Sequence, residues 1–280
     1  MNEPAPTVMR PAKVVVLAAI AIIAFAGNSL FARAALADGA MGAGAFSAIR
    51  LAAGALILLP VIGRLPGRAD IPGALALAIY VGGFSLAYIS LGAASGALIL
   101  FACVQATMLL IGVVQGNPPS LRGWLGMVLA LAGVAYLLAP GAGAVDIAPS
   151  LLMAAAGAAW GIYTLLGRGA GDPAGRTARN FLLATPLVLP MLLLDSELPS
   201  SFGILMAVLS GALTSGLGYV VWNAVAPRMG LATVAVVQLA TPVVAALGGA
   251  LLLAEPLSLT LAIASALILG GIVLTLEKKA

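Results

Sequence analysis

Ten apolar runs of about 20 residues, parted by short segments rich in charge, proline or glycine, constrain this chain more than any other feature. They cover residues 14–32, 41–62, 71–90, 94–114, 121–139, 149–167, 178–194, 201–222, 230–253 and 258–275. Inside lipid the backbone must satisfy its own hydrogen bonds, so a spanning segment is a helix or a strand of a closed barrel. Barrel strands alternate over stretches of about ten residues, whereas these runs are continuous, which predicts helices. Composition agrees: 62% of the 280 residues are apolar, 8% are charged and the mean hydropathy is +1.17. A water-facing surface needs about 25% charged residues. The expected fold class is therefore an all-α polytopic membrane protein with ten transmembrane helices.

The basic residues orient the spans. With ten helices the amino terminus, the even-numbered loops and the carboxyl terminus share one side. That side holds Arg10, Lys13, Arg64, Arg68, Arg122, Arg168, Arg176, Arg179, Arg228, Lys278 and Lys279, eleven of the 13 lysines and arginines. Arg33 alone falls in the opposite loops and Arg50 lies within a span, so the positive-inside rule places both termini in the cytoplasm and positions 38, 146 and 197 outside. Arg10 and Lys13 ahead of an apolar stretch ending Ala32-Arg33-Ala34 also fit a cleaved signal peptide. Nine further spans favour a first helix that stays and serves as the insertion signal.

Several functional classes drop out. Cys103 lies alone in an apolar run and histidine is absent, which removes disulfide frameworks and most metal centres, so no cofactor is expected. Intramembrane hydrolysis lacks an acid-base constellation. The pI of about 9.6 does not indicate nucleic acid, because the basic residues are scattered singly through loops. Membrane lipid and a small-molecule substrate are the expected partners, and the chain is read as a monomer.

An internal repeat adds topology. Pro118 aligns with Pro256, Ser120 with Ser258 and Gly133 with Gly271, and at nearly the same offset Tyr88 falls on Trp222, Gly96 on Gly230 and Gln105 on Gln238. A repeat of roughly 135 residues holds five helices, and an odd number forces the second copy to start from the opposite side of the bilayer. One transport domain, 1–280, thus divides into inverted repeats 14–139 and 149–275. Such halves place a site near the midplane between them.

The candidate lining residues are the polar and aromatic side chains within spans. Tyr80, Phe84 and Tyr88 recur every four residues in the third span, and Trp160 with Tyr163 and Tyr219 with Trp222 and Asn223 recur at helical spacing in the sixth and eighth. Gln105 and Gln238 sit at matching places in the fourth and ninth. Each could equally serve helix packing or interhelical hydrogen bonding. Stripes that combine rings with hydroxyls and amides favour a cavity wall. Arg50 is the one ionisable residue placed clearly within a span, where it could meet a substrate carboxylate or brace the bundle. Arg179 and Asn180 are expected to start the seventh span, and Glu255 to end the ninth at the outer interface. Thr241-Pro242 predicts a kink.

Ala24-Phe25-Ala26-Gly27-Asn28-Ser29 in the first span, Arg50-Leu51-Ala52-Ala53-Gly54-Ala55 in the second and Leu252-Leu253-Ala254-Glu255-Pro256-Leu257 closing the ninth resemble the ten-helix transporters of the drug/metabolite transporter superfamily. Gly218-Tyr219-Val220-Val221-Trp222-Asn223 and Ala159-Trp160-Gly161-Ile162-Tyr163 resemble its aromatic amino acid exporter branch. The resemblance implies export of amino acids or other small metabolites by alternating access across a bacterial inner membrane. It implies a central cavity lined by the third, fourth, sixth, eighth and ninth spans. Small multidrug members of the superfamily bind cations with a first-span glutamate; here Asn28 is present and no acid is, which speaks against that mechanism. A drug or other metabolite carrier is the alternative within the superfamily. A channel is the alternative outside it, although Asn117-Pro118-Pro119 falls where turn chemistry suffices. With no carboxylate or histidine expected at the midplane, the substrate gradient alone is expected to drive flux.

Overall fold

The computed structural model describes residues 11–116, 118–139, 145–167, 172–196, 198–229, 237–238 and 240–275. The regular structure among the described residues is entirely helical. In chain order the helices are α1 (Pro11–Leu36), α2 (Ala43–Leu58), α3 (Ile71–Tyr88), α4 (Ala93–Val114), α5 (Leu121–Leu138), α6 (Ile147–Gly167) and α7 (Pro173–Val188). They continue with α8 (Ser201–Val225), α9 (Ala240–Leu252) and α10 (Leu259–Thr275). Eight are long and apolar enough to cross a membrane, α2, α3 and α7 with the help of short 3-10 turns, while α9 and α10 are shorter apolar helices. The expected ninth span starts at 230, and residues 230–236 lie outside those described.

The ends follow from local chemistry. Ser120 and Ser258, paired by the repeat, play equivalent parts: Ser120 Oγ accepts the Gly123 N–H at 3.3 Å and Ser258 Oγ accepts the Leu261 N–H at 3.1 Å. Each satisfies a donor of the first turn that would otherwise lack a partner. Ser200 does the same for α8 and Asp172 for α7. That cap corrects one expected boundary, since α7 begins at Pro173 rather than 178. Arg176, Arg179 and Asn180, read as loop or helix start, lie within the helix, and Arg179 and Asn180 are buried.

Packing repeats across the halves. α3 packs on α6 and α8 on α1; α4 packs on α6 and α9 on α1; α2 packs on α8 and α7 on α3. α2 with α7, α4 with α9 and α5 with α10 close the set. Exchanging each helix with the one five places later maps this packing onto itself, as an inverted pair requires. Small residues permit the close approaches. A Cβ on Gly211 of α8 would collide with the Arg50 carbonyl of α2, and one on Gly271 of α10 with the Gly126 carbonyl and Ala130 amide of α5.

α8 is not uniform. Ser210–Leu217 winds as a π-helix between two α-helical stretches, a geometry that usually marks a functional site. Asn28 of α1 holds this segment, its Oδ1 accepting from Ser210 Oγ at 3.0 Å, Thr214 Oγ1 at 2.7 Å and Ser215 Oγ at 2.9 Å.

Candidate functional site

Helices α1, α3, α6, α7 and α8 bring their aromatic side chains to one centre. Tyr80 and Trp160 lie 4.9 Å apart between ring centroids, and Trp160 and Tyr219 4.8 Å. Phe25 stands edge-on to Trp160, Tyr219 and Trp222 at 6.2, 5.8 and 5.4 Å. Phe84 joins through Tyr80 at 5.4 Å, Tyr163 stacks on Trp160 at 5.4 Å, and Phe181 meets Tyr219 at 5.8 Å. Edge-to-face and tilted ring pairs of this kind each add about 0.5–1.5 kcal/mol beyond area burial. The cage is thus rigid as well as apolar.

At its middle is a void of about 10 Å³, room for roughly one water molecule. Phe25, Asn28, Ser29, Tyr80, Phe84, Leu100, Phe101, Trp160 and Tyr219 line it. No metabolite fits in that volume, so the structure is closed around its centre and a ligand requires the helices to separate.

The residues picked from the sequence divide into two groups. Tyr80, Phe84, Trp160 and Tyr219 border the void, Tyr163 stacks on Trp160, and Trp222 stands against Phe25. Tyr88 extends the α3 stripe through Phe84 at 4.6 Å, and its hydroxyl donates to the Ala93 carbonyl near one end of the bundle. Asn223 turns to α7, donating to Thr177 Oγ1 at 3.1 Å. Gln105 is half-buried on α4 and Gln238 is buried, and neither lines the void. Phe25, Ser29, Leu100, Phe101 and Phe181 were not singled out. Phe25, Asn28 and Ser29, three and four residues apart, carried the signal that would have found the first of these.

Beside the cage, Arg50 is completely buried. Its Nε donates to Ser215 Oγ at 3.0 Å and its Nη2 to Tyr80 Oη at 3.2 Å, while its guanidinium carbon lies 4.8 Å from the Phe84 ring centre.

Charged residues close the two ends. At one, Arg33 Nε donates to Glu255 Oε1 at 3.0 Å and Arg33 Nη1 to the Tyr88 and Ile89 carbonyls. Glu255 also accepts the Ala93 N–H that opens α4, so the acid expected at an interface is a helix cap and an ion-pair partner. At the other, Arg179 binds Asp70 at 3.1 Å, Asp172 at 3.1 Å and the Ile62 carbonyl at 2.7 Å, and Arg64 binds Asp70 at 2.8 Å. Asp172 is held below the usual carboxylate range mainly by the Gly175 N–H, with Arg179 adding to the effect and burial opposing it. Arg50 is therefore not alone in being buried: Arg179 and Asp70 join it at 4% and 2% exposure.

Comparison with known proteins agrees with this architecture. Residues 148–277 match the EamA-like transporter family. A protein of uncharacterised function from Pseudomonas aeruginosa is 46% identical over 274 residues, 95% of this chain and 96% of its own. A crystal structure of a protein with 20% identity superposes with a TM-score of 0.64 over 94% of this chain and 97% of that one, a likeness that bears on the fold alone. Ten apolar helices around a closed aromatic centre, together with the family match over the second half, make this chain a member of the EamA-like transporter family, within the drug/metabolite transporter superfamily.

Proposed function

We propose that the protein exports neutral amino acids, aromatic ones foremost, or closely related small metabolites from the cytoplasm by alternating access. The observation that carries this reading is the ring cage around a closed void, with hydroxyls of Tyr80 and Tyr219 and the Asn28 amide on its wall. Rings suit a planar or branched apolar body, and the polar groups fix its orientation. The resemblance of the Trp160 and Trp222 segments to the aromatic amino acid exporters supports the same substrate class. Inverted halves 14–139 and 149–275 would rock about the cage, opening it to each side in turn. The proposal sets the protein as a monomer in a bacterial inner membrane, and reads both termini as cytoplasmic from the basic-residue asymmetry.

The drive is the substrate gradient. An intramembrane proton relay is built from Asp, Glu or His, and the chain has no histidine. Asp70 and Glu255, the acids at the two ends of the bundle, are already engaged with arginines.

Uptake of labelled neutral amino acids into proteoliposomes tests the function. Saturable uptake, with aromatic substrates competing against one another, is expected. Flux that rises linearly with concentration and shows no competition would replace the carrier by a channel.

A further inference from the structure

Two groups beside the cage are incompletely satisfied, and the charged one is Arg50. A permanently charged guanidinium in hydrocarbon is normally matched by an acid or a set of carbonyls. Here none of the described acids pairs with it, and its Nη1 is buried without a hydrogen-bond partner. The hydroxyl of Tyr219 faces the guanidinium and is likewise buried without a hydrogen bond of normal geometry. Tyr219 and Tyr80 are the side chains that face Arg50 electrostatically, and both border the void. The rest of the guanidinium is fixed. Ser215 holds Nε, Asn28 holds Ser215, Tyr80 holds Nη2, and the Phe84 ring lies against the plane. A side chain held at two nitrogens with the third left open has a set direction and one vacant nitrogen, whose two N–H donors are unused.

We propose that Arg50 Nη1 and Tyr219 Oη form an anion subsite that takes the carboxylate of the substrate while its apolar body occupies the ring cage. This rests on the reading of the cage as the substrate site and narrows it: the substrate carries a carboxylate, and an amine is not what the protein recognises first. The guanidinium stands behind Tyr80 and Phe84 in the closed structure, so the carboxylate reaches it as the cage widens. Desolvated arginine–carboxylate contacts are roughly twice as strong as neutral hydrogen bonds, and a buried donor left unmade carries a desolvation penalty that the ligand would relieve.

Binding to the purified full-length protein in detergent decides it, with three probes: L-phenylalanine, 3-phenylpropionate, which lacks the amine, and phenylalaninamide, which lacks the carboxylate. Both carboxylates should bind and raise the melting temperature, and the amide should bind about tenfold more weakly or worse. Tyr219→Phe should leave the ligand-free melting temperature equal or higher, because it deletes a hydroxyl without a hydrogen bond of normal geometry, yet weaken carboxylate binding several-fold. Arg50→Lys should narrow the gap between carboxylate and amide; if that variant does not fold, the wild-type probe series and Tyr219→Phe still decide. Binding of 3-phenylpropionate without phenylalanine would keep the anion subsite and discard the amino acid reading. Equal binding of amide and carboxylate, no binding of either carboxylate at millimolar concentration, or full carboxylate affinity in Tyr219→Phe would each overturn the subsite.

Discussion

The two ends of the bundle solve the same problem with different strength. At one, a single ion pair between Arg33 and Glu255, with side chains 23% and 17% exposed, ties α1 and the end of α9 to the α3–α4 turn. At the other, Arg179 and Asp70, 5% and 2% exposed, sit in a network with Arg64, Asp172 and the Ile62 carbonyl that joins α2, α3 and α7. A lone, half-wet pair is worth about 1 kcal/mol and can be broken and remade within a transport cycle. The buried Arg179–Asp70 pair at the centre of the network cannot lose a partner without stranding a charge. The first end costs less to open than the second, and both tie helices across the halves: α1 to α9 at one, and α2 to α7, a pair that the two-fold exchange maps onto itself, at the other.

Breaking the strong end has the largest expected effect. Asp70→Ala leaves Arg179 buried with only the exposed Asp172 as an anion, and should cost about 3 kcal/mol or more, read as a lower melting temperature and reduced folded yield. Asp70→Asn should recover part of that through hydrogen bonding.

At the weak end, Glu255→Gln removes the ion pair but keeps an acceptor for the Ala93 N–H. It should cost about 1–2 kcal/mol. Its more telling readout is kinetic: if this end opens during transport, the turnover rate should change while substrate affinity holds. Unchanged turnover would make the pair purely structural.

Ala254 sharpens the comparison further, because it holds φ of 52° just before Glu255 and follows the last turn of α9. Left-handed geometry costs a non-glycine residue roughly 1 kcal/mol, and the position is where glycine usually ends a helix. Ala254→Gly should relieve that strain and raise stability by somewhat less than this amount, since glycine also frees the unfolded chain.

The smallest effect belongs to Asp172, whose side chain is 53% exposed. Its folded carboxyl lies below its ordinary value of 3.8, so its contribution is complete above that value and is lost as pH falls through the folded one. Asp172→Asn should cost at most about 1 kcal/mol at neutral pH, and its stability difference from wild type should shrink in acid, measured by thermal melts across pH.

The spans were legible because apolar length is a direct physical requirement of the bilayer, and Ser120 and Ser258 stood out as a repeat-matched pair ahead of apolar runs. The start of α7 was not legible. Arg176 looks like loop and Arg179 and Asn180 like a helix start in sequence, and Arg179 is buried inside the helix through its tertiary partners Asp70 and Ile62. The aromatic stripes of α3, α6 and α8 were readable from spacing, since rings three and four apart share a face. Which face meets the centre depends on helix register, and neither of the matching glutamines at 105 and 238 reaches it. The isolation of Arg50 from any described acid could not be read at all, because partnership is a property of packing and not of spacing.

Counterflow in proteoliposomes, with wild type and Trp160→Ala reconstituted to equal density and equal pH on both sides, tests the central claim most directly. Trp160 touches Phe25, Tyr80, Tyr163 and Tyr219, so its loss opens the cage that the substrate is proposed to fill. Saturable counterflow of an aromatic amino acid in the wild type, and at least about a tenfold weaker apparent affinity in the variant at unchanged folded yield, is the predicted result. Identical counterflow kinetics in the two proteins would contradict it and move the substrate path away from the rings.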